Sequence, residues 1–151
     1  MRIVLQRVKD AKCVVENKLI SAIDKGYLLL IGFKEGDTNE YFKYFTEKIS
    51  KLRIFEDNCG KMNLGIKEVD GSILAISQFT LYANTKNGNR PSFTDAMKFK
   101  EAEVLYDEFC ERLNLLVPTK KGIFGADMKL TFTNDGPVTI LYDSDELNKE
   151  A

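Results

Sequence analysis

Ser77-Gln78-Phe79-Thr80-Leu81 brings two hydroxyls and a carboxamide together at the end of the apolar run Ile73-Leu74-Ala75-Ile76. A second polar stretch, Asn134-Asp135-Gly136-Pro137-Val138-Thr139, places a Gly-Pro dipeptide between two apolar segments. The chain contains no histidine. That excludes a Ser-His-Asp triad, a Cys-His pair and a histidine metal site. Neither a G-x-x-x-x-G-K-[ST] loop nor a G-x-G-x-x-G fingerprint is present, so the usual phosphate cradles are missing. The carboxylates are scattered over turns and helix faces, with no pair suited to glycoside cleavage. Chemistry here must use hydroxyls, an amide, backbone groups and the substrate itself. Each stretch alone has an ordinary reading as well. A polar strand end can simply face solvent, and Gly-Pro can simply be a turn.

The elements that would carry these groups follow from periodicity. Residues 2–8 alternate, with Ile3, Leu5 and Arg7 on one face, which predicts a strand. Val14-Val15 and Leu19-Ile20 flank a turn at Glu16-Asn17-Lys18, predicting a hairpin. Tyr27 to Phe33 is continuously apolar, as in a strand buried on both faces. Asp37 and Glu40 have capping-box spacing ahead of Phe42, Phe45, Ile49 and Leu52, predicting a helix from Thr38 to Leu52. Arg53-Ile54-Phe55 reads as strand and Glu56 to Gly60 as turn. A strand is expected from Ser72 to Leu81, and a second helix from Phe99 to Leu113, ended by Pro118. Met128–Thr133 and Val138–Tyr142 are expected as the last two strands. The acidic tail from about residue 144 is expected to fray. Strands that mostly do not alternate with helices predict an α+β fold: a curled, barrel-like, mostly antiparallel sheet with two main helices.

Composition bounds the rest. A chain of 151 residues with 44% hydrophobic and 30% charged residues is expected to form one soluble domain spanning 1–151. No membrane span or signal peptide is apparent, which predicts a cytoplasmic protein. Cys13, Cys59 and Cys110 are far apart and without a C-x-x-C, so they are expected to be structural rather than disulfide, zinc or nucleophilic residues. A net charge of −1 argues against indiscriminate nucleic-acid binding but leaves room for local basic clusters at Lys86, Arg90, Lys98 and Lys100 and at Lys120-Lys121.

The two polar stretches and the text between them resemble the D-aminoacyl-tRNA deacylase family of the bacterial and eukaryotic type. The resemblance includes Gln6-Arg7-Val8, Leu52 through Asp57, Gly60 through Leu64, Ser77 through Ala83, Arg90-Pro91-Ser92-Phe93, Phe124 through Met128 and Asn134 through Thr139. It implies a homodimeric hydrolase that removes D-amino acids from the 3′ end of tRNA and spares L-aminoacyl-tRNA, with no cofactor or metal. It implies an active site combining Ser77, Gln78, Phe79 and Thr80 of one subunit with a Gly-cis-Pro element, Gly136 and Pro137, from the other. Arg7 matches the arginine that braces this element. Phe124 matches an aromatic beside the pocket, and Met128 joins it among the substrate-binding positions.

That implied chemistry suits the composition. An aminoacyl ester is already activated, and the neighbouring ribose 2′-hydroxyl can assist its hydrolysis. The protein then contributes position and backbone N–H donors near Phe79 and Thr80 for the oxyanion. Nothing in the sequence would activate Thr80 as a nucleophile, so a positioning role is expected. Gly136 permits close approach of the backbone to the substrate's α-carbon, where an L side chain would collide and a D side chain point away. Glycine, having no side chain to reject, should also be removed, as from mischarged tRNA(Ala). The chain departs from the family at Lys86-Asn87-Gly88-Asn89-Arg90, where relatives often carry more basic residues. A weaker, less salt-sensitive contact with tRNA phosphate is expected there.

Overall fold

The computed structural model describes residues 1–148. Its main sheet has five strands in the order β6-β5-β2-β1-β7. Strand β1 (Arg2–Val15) and strand β2 (Lys18–Gly32) form a long hairpin. Glu16 and Asn17, both at positive φ, make its two-residue turn. The expected break after residue 8 does not occur. Lys9, Asp10 and Lys12 interrupt the apolar pattern only because this part of β1 is solvent-exposed, and a register shift at Lys9/Lys12 accommodates them while Ala11 and Cys13 stay buried.

Strand β5 (Ser72–Ser77) runs parallel to β2, strand β6 (Thr119–Lys121) runs parallel to β5, and strand β7 (Lys129–Asp143) pairs antiparallel with β1. The sheet is therefore open, with β6 and β7 as edges, and not a closed barrel. A small ladder joins strand β3 (Phe55–Glu56) to strand β4 (Met62–Leu64).

Helices α1 (Phe42–Lys51) and α2 (Phe99–Asn114) belong to one large core, where Phe42 and Phe109 meet edge to face at 5.2 Å. Tyr27, Leu29 and Ile31 of β2 enter that core, whereas Leu28 joins Val8, Cys13, Leu74 and Ile76 in a second cluster. This alternation confirms a strand buried on both faces. Helix α1 begins at Phe42 rather than Thr38. The Asp37 carboxylate turns back to accept from the Lys34 N–H at 2.8 Å and pairs with the Met1 ammonium at 2.6 Å, so no capping box forms.

Two further expectations are corrected. The strand expected through Leu81 stops at Ser77, and Phe79–Tyr82 form a 3-10 turn. The start of the tail is ordered: helix α3 (Ser144–Asn148) follows β7 directly, with Ser144 buried and accepting from the Met1 ammonium at 2.8 Å. Lys34 Nζ pairs with Asp145 at 2.5 Å. The part of the expected frayed tail beyond residue 148 lies outside the described residues.

Candidate active site

Strand β5 ends where the Gln78 N–H donates to the Ile31 carbonyl at the end of β2, at 2.7 Å. The chain then leaves the sheet in the 3-10 turn. The leading N–H groups of such a turn, those of Phe79 and Thr80, have no carbonyl within it to bond. Gln78 Nε2 donates to Thr80 Oγ1, fixing that hydroxyl. An amide N–H cannot withdraw a proton, so this partner orients Thr80 without making it a nucleophile.

Ser77, Gln78 and Phe79 line a cleft of about 670 Å³ together with Phe124 and Met128. Thr80 stands beside it on the exposed turn. Phe79 is 58% exposed and meets Phe93 edge to face at 5.1 Å. In the same cleft Phe99 meets Phe124 edge to face at 4.7 Å, and Lys98 and Gly125 border the same space. Asp127 also lines it, but its carboxylate is paired with Lys129 at 3.1 Å. Phe93, Phe99 and Gly125 have no role assigned from sequence, and Lys98 enters there only as part of a local basic cluster. Phe93 lies in the quoted Arg90-to-Phe93 block, which was the available signal. Phe99 reads from periodicity only as the first residue of a helix.

Gly136 and Pro137 lie elsewhere. They interrupt no strand: β7 continues through them as one element, in place of the two strands expected. Gln6 pairs with Thr139 and Val8 with Asn134, so the four residues Asp135–Val138 stand opposite Arg7 alone and bulge from the edge of the sheet. The Gly136-Pro137 peptide is cis, and both residues are exposed. Arg7 is 6% exposed and spans the base of the bulge, donating from Nε to the Asp135 carbonyl at 2.9 Å and from Nη1 to the Ile54 carbonyl at 2.6 Å. Asn134 Oδ1 accepts from the Val138 N–H at 3.2 Å across the same bulge. Gly136 has φ +139°, and a Cβ there would sit 2.7 Å from Val138 Cγ2 and 3.1 Å from Arg7 Nη2. A side chain is excluded on both counts. Neither Gly136 nor Pro137 borders the cleft of its own chain.

The cysteines take no part in this site. Cys13 and Cys110 are buried, and burial raises both thiols, Cys110 to about 12. Such thiols are inert at neutral pH. Among the described residues no cluster of three or more His, Cys, Asp or Glu could hold a metal ion. No helix among them is long and apolar enough to cross a membrane.

An α+β scaffold that presents hydroxyls, an amide and backbone N–H groups at one end of an aromatic cleft suits hydrolysis of an ester that is already activated. The family model for D-Tyr-tRNA(Tyr) deacylase matches residues 4–143, and the chain belongs to that family. It is a hydrolase acting on the ester bond of D-aminoacyl-tRNA. A solved structure described as "c-Myc DNA Unwinding Element Binding Protein" is 39% identical, with a TM-score of 0.87 over 95% of this chain and 98% of that one. A second, "Structural Analysis of a probable eukaryotic D-amino acid tRNA deacylase", shares the fold at 20% identity, with a TM-score of 0.80 over 93% of this chain and 97% of that one.

Proposed function

We propose that this chain acts as a cytoplasmic homodimeric chirality filter, hydrolysing D-aminoacyl- and glycyl-tRNA while sparing L-aminoacyl-tRNA. The observation that carries this reading is the position of Gly136-Pro137: exposed on a sheet edge, braced by buried Arg7, and away from its own cleft. An element so rigidly presented yet remote from Ser77–Thr80 acts on a second copy. The terminal adenosine enters the cleft with its base against Phe124, and its ester carbonyl lies by the Phe79 and Thr80 N–H groups. Those donors stabilise the tetrahedral oxyanion, and the ribose 2′-hydroxyl assists attack by water. Losing one such donor typically costs on the order of 100- to 1000-fold in rate. The partner's Gly-Pro backbone then closes the side of the α-carbon on which an L side chain would project. Because rejection falls to main chain, many D side chains are accepted and glycine is not rejected.

Deacylation of matched D-tyrosyl-, L-tyrosyl- and glycyl-tRNA by chelator-treated protein tests this. Rapid loss of the D and glycyl esters, with the L ester spared, is expected. Equal loss of the L ester would remove the filter, and tRNA binding without turnover of any ester would make the chain a binding module.

A further inference from the structure

We propose that Phe99 is a substrate-positioning residue that stacks on the base of the nucleotide preceding the esterified one, with Lys98 meeting the phosphate that joins the two. This rests on the reading that the cleft receives the 3′ end of tRNA, and it assigns the second nucleotide a place. Phe124 packs against the large core and is half-buried, so it forms the inner part of the aromatic wall. Phe99 is 56% exposed and meets Phe124 edge to face at 4.7 Å, so it forms the outer part. A strand of nucleic acid whose last base lies against Phe124 leaves the cleft past Phe99. An open aromatic face with a lysine beside it is the pairing that holds a single-stranded nucleotide, base on ring and phosphate on cation.

The ring is built into this position. Phe99 is the first residue of α2, which fixes its backbone, and its side chain projects back off the helix start. It rests directly over Gly125, where a Cβ would lie 2.2 Å from Cε2 and 2.3 Å from Cζ. Gly125 also has φ +78°, a conformation that favours glycine. Any other residue at 125 would push the ring from its seat. Lys98 is exposed at the cap of α2, and the carboxylate nearest in sequence on the facing segment, Asp127, is occupied by Lys129.

The test uses two minimal substrates, the D-tyrosyl esters of adenosine and of cytidylyl-(3′→5′)-adenosine. Wild-type protein should show a KM lower by about 5- to 100-fold for the dinucleotide ester, the usual range for one stacked base. In Phe99→Ala the ratio of the two KM values should lose the stacking factor and keep only the part that Lys98 and the phosphate supply, whereas Phe99→Tyr, which keeps a ring, should preserve it. Gly125→Ala, which displaces the ring without removing it, should also lower the ratio. A wild-type ratio retained in Phe99→Ala overturns the proposal and leaves the reading of the cleft standing. No wild-type preference for the dinucleotide likewise overturns it. Failure of the adenosine ester to bind or react, while D-tyrosyl-tRNA is hydrolysed, defeats the reading of the cleft itself.

Discussion

Thr80 carries a hydroxyl whose described partner, Gln78 Nε2, donates to it and cannot accept its proton. A nucleophile in that position would need a base, and none is bonded there. Thr80→Val keeps the shape and removes the hydroxyl. If the hydroxyl only orients substrate or water, the loss in kcat/KM for D-tyrosyl-tRNA should be about 10-fold, the worth of one ordinary hydrogen bond. A covalent role would instead abolish turnover, and rapid-quench mass spectrometry of wild-type protein would reveal an acyl-enzyme. Arg7 shows the reverse relation between residue and environment. Its alternation in β1 places it on the buried face with Ile3 and Leu5, but the reason a guanidinium tolerates that burial is visible only in three dimensions. Two main-chain carbonyls, from residues 54 and 135, receive its N–H groups. Such pairing across long sequence separation leaves no periodic signal, and only the family resemblance pointed to it.

At the scale of elements, the segments that periodicity located well were those whose burial is one-sided or complete. Helix α2 ends within one residue of the expected position, and β2 is buried on both faces over its apolar run from Tyr27. What escaped were places where a side chain had a better distant partner than its local one. Asp37 has the spacing of a cap and instead binds Lys34 and Met1. Gly136-Pro137 has the composition of a turn, but pairing with β1 resumes on both sides, so the chain bulges without reversing. The acidic tail from about residue 144 is expected from sequence to fray, yet its first residues form helix α3. It is held by Ser144 and by the ion pair of Asp145 with Lys34. The Lys34 hydrogen bond holds the Asp145 carboxyl below the usual carboxylate range, and the same bond raises Lys34. A depressed carboxyl contributes stability that is present above its unfolded pKa and lost as pH falls through the folded value. The raised lysine contributes below its ordinary pKa and loses that only in strong alkali. Amide exchange at 144–148 should therefore quicken on acidification below the ordinary aspartate range, and Asp145→Asn should flatten that dependence. Both side chains are more than a third exposed, so the effect should stay below about 1 kcal/mol and shrink with added salt. Exchange independent of pH in this window, after correction for intrinsic rates, would show that the Lys34–Asp145 pair does not help to dock the helix, leaving Ser144 and the packing of Leu147 on the core to hold it.

For the whole molecule, the decisive separation is between the cleft and the Gly-Pro bulge, which one chain does not bring together. The α+β class followed from the order of elements, whereas the openness of the sheet did not, because closure depends on whether its edges β6 and β7 meet, and no local pattern encodes that. An assembly in which each site takes its cleft from one copy and its bulge from the other has a property that a site within one chain lacks. Gly136→Ala damages the bulge, through the 2.7 Å approach to Val138 and the positive φ, and should lower activity by about 100-fold, the scale of a displaced positioning element. Ser77→Tyr puts a ring into the cleft that Ser77 lines. Each variant alone should be nearly inactive. When the two are unfolded, mixed in equal amounts and refolded together, half of the dimers are hybrids. In each hybrid one site carries both lesions and the other carries neither. About a quarter of the wild-type activity should return, since only one site in two is intact in half of the dimers. A site built within one chain gives every site a lesion whatever the mixing, and no activity returns. Refolded single variants, and a wild-type sample taken through the same cycle, separate that outcome from poor refolding.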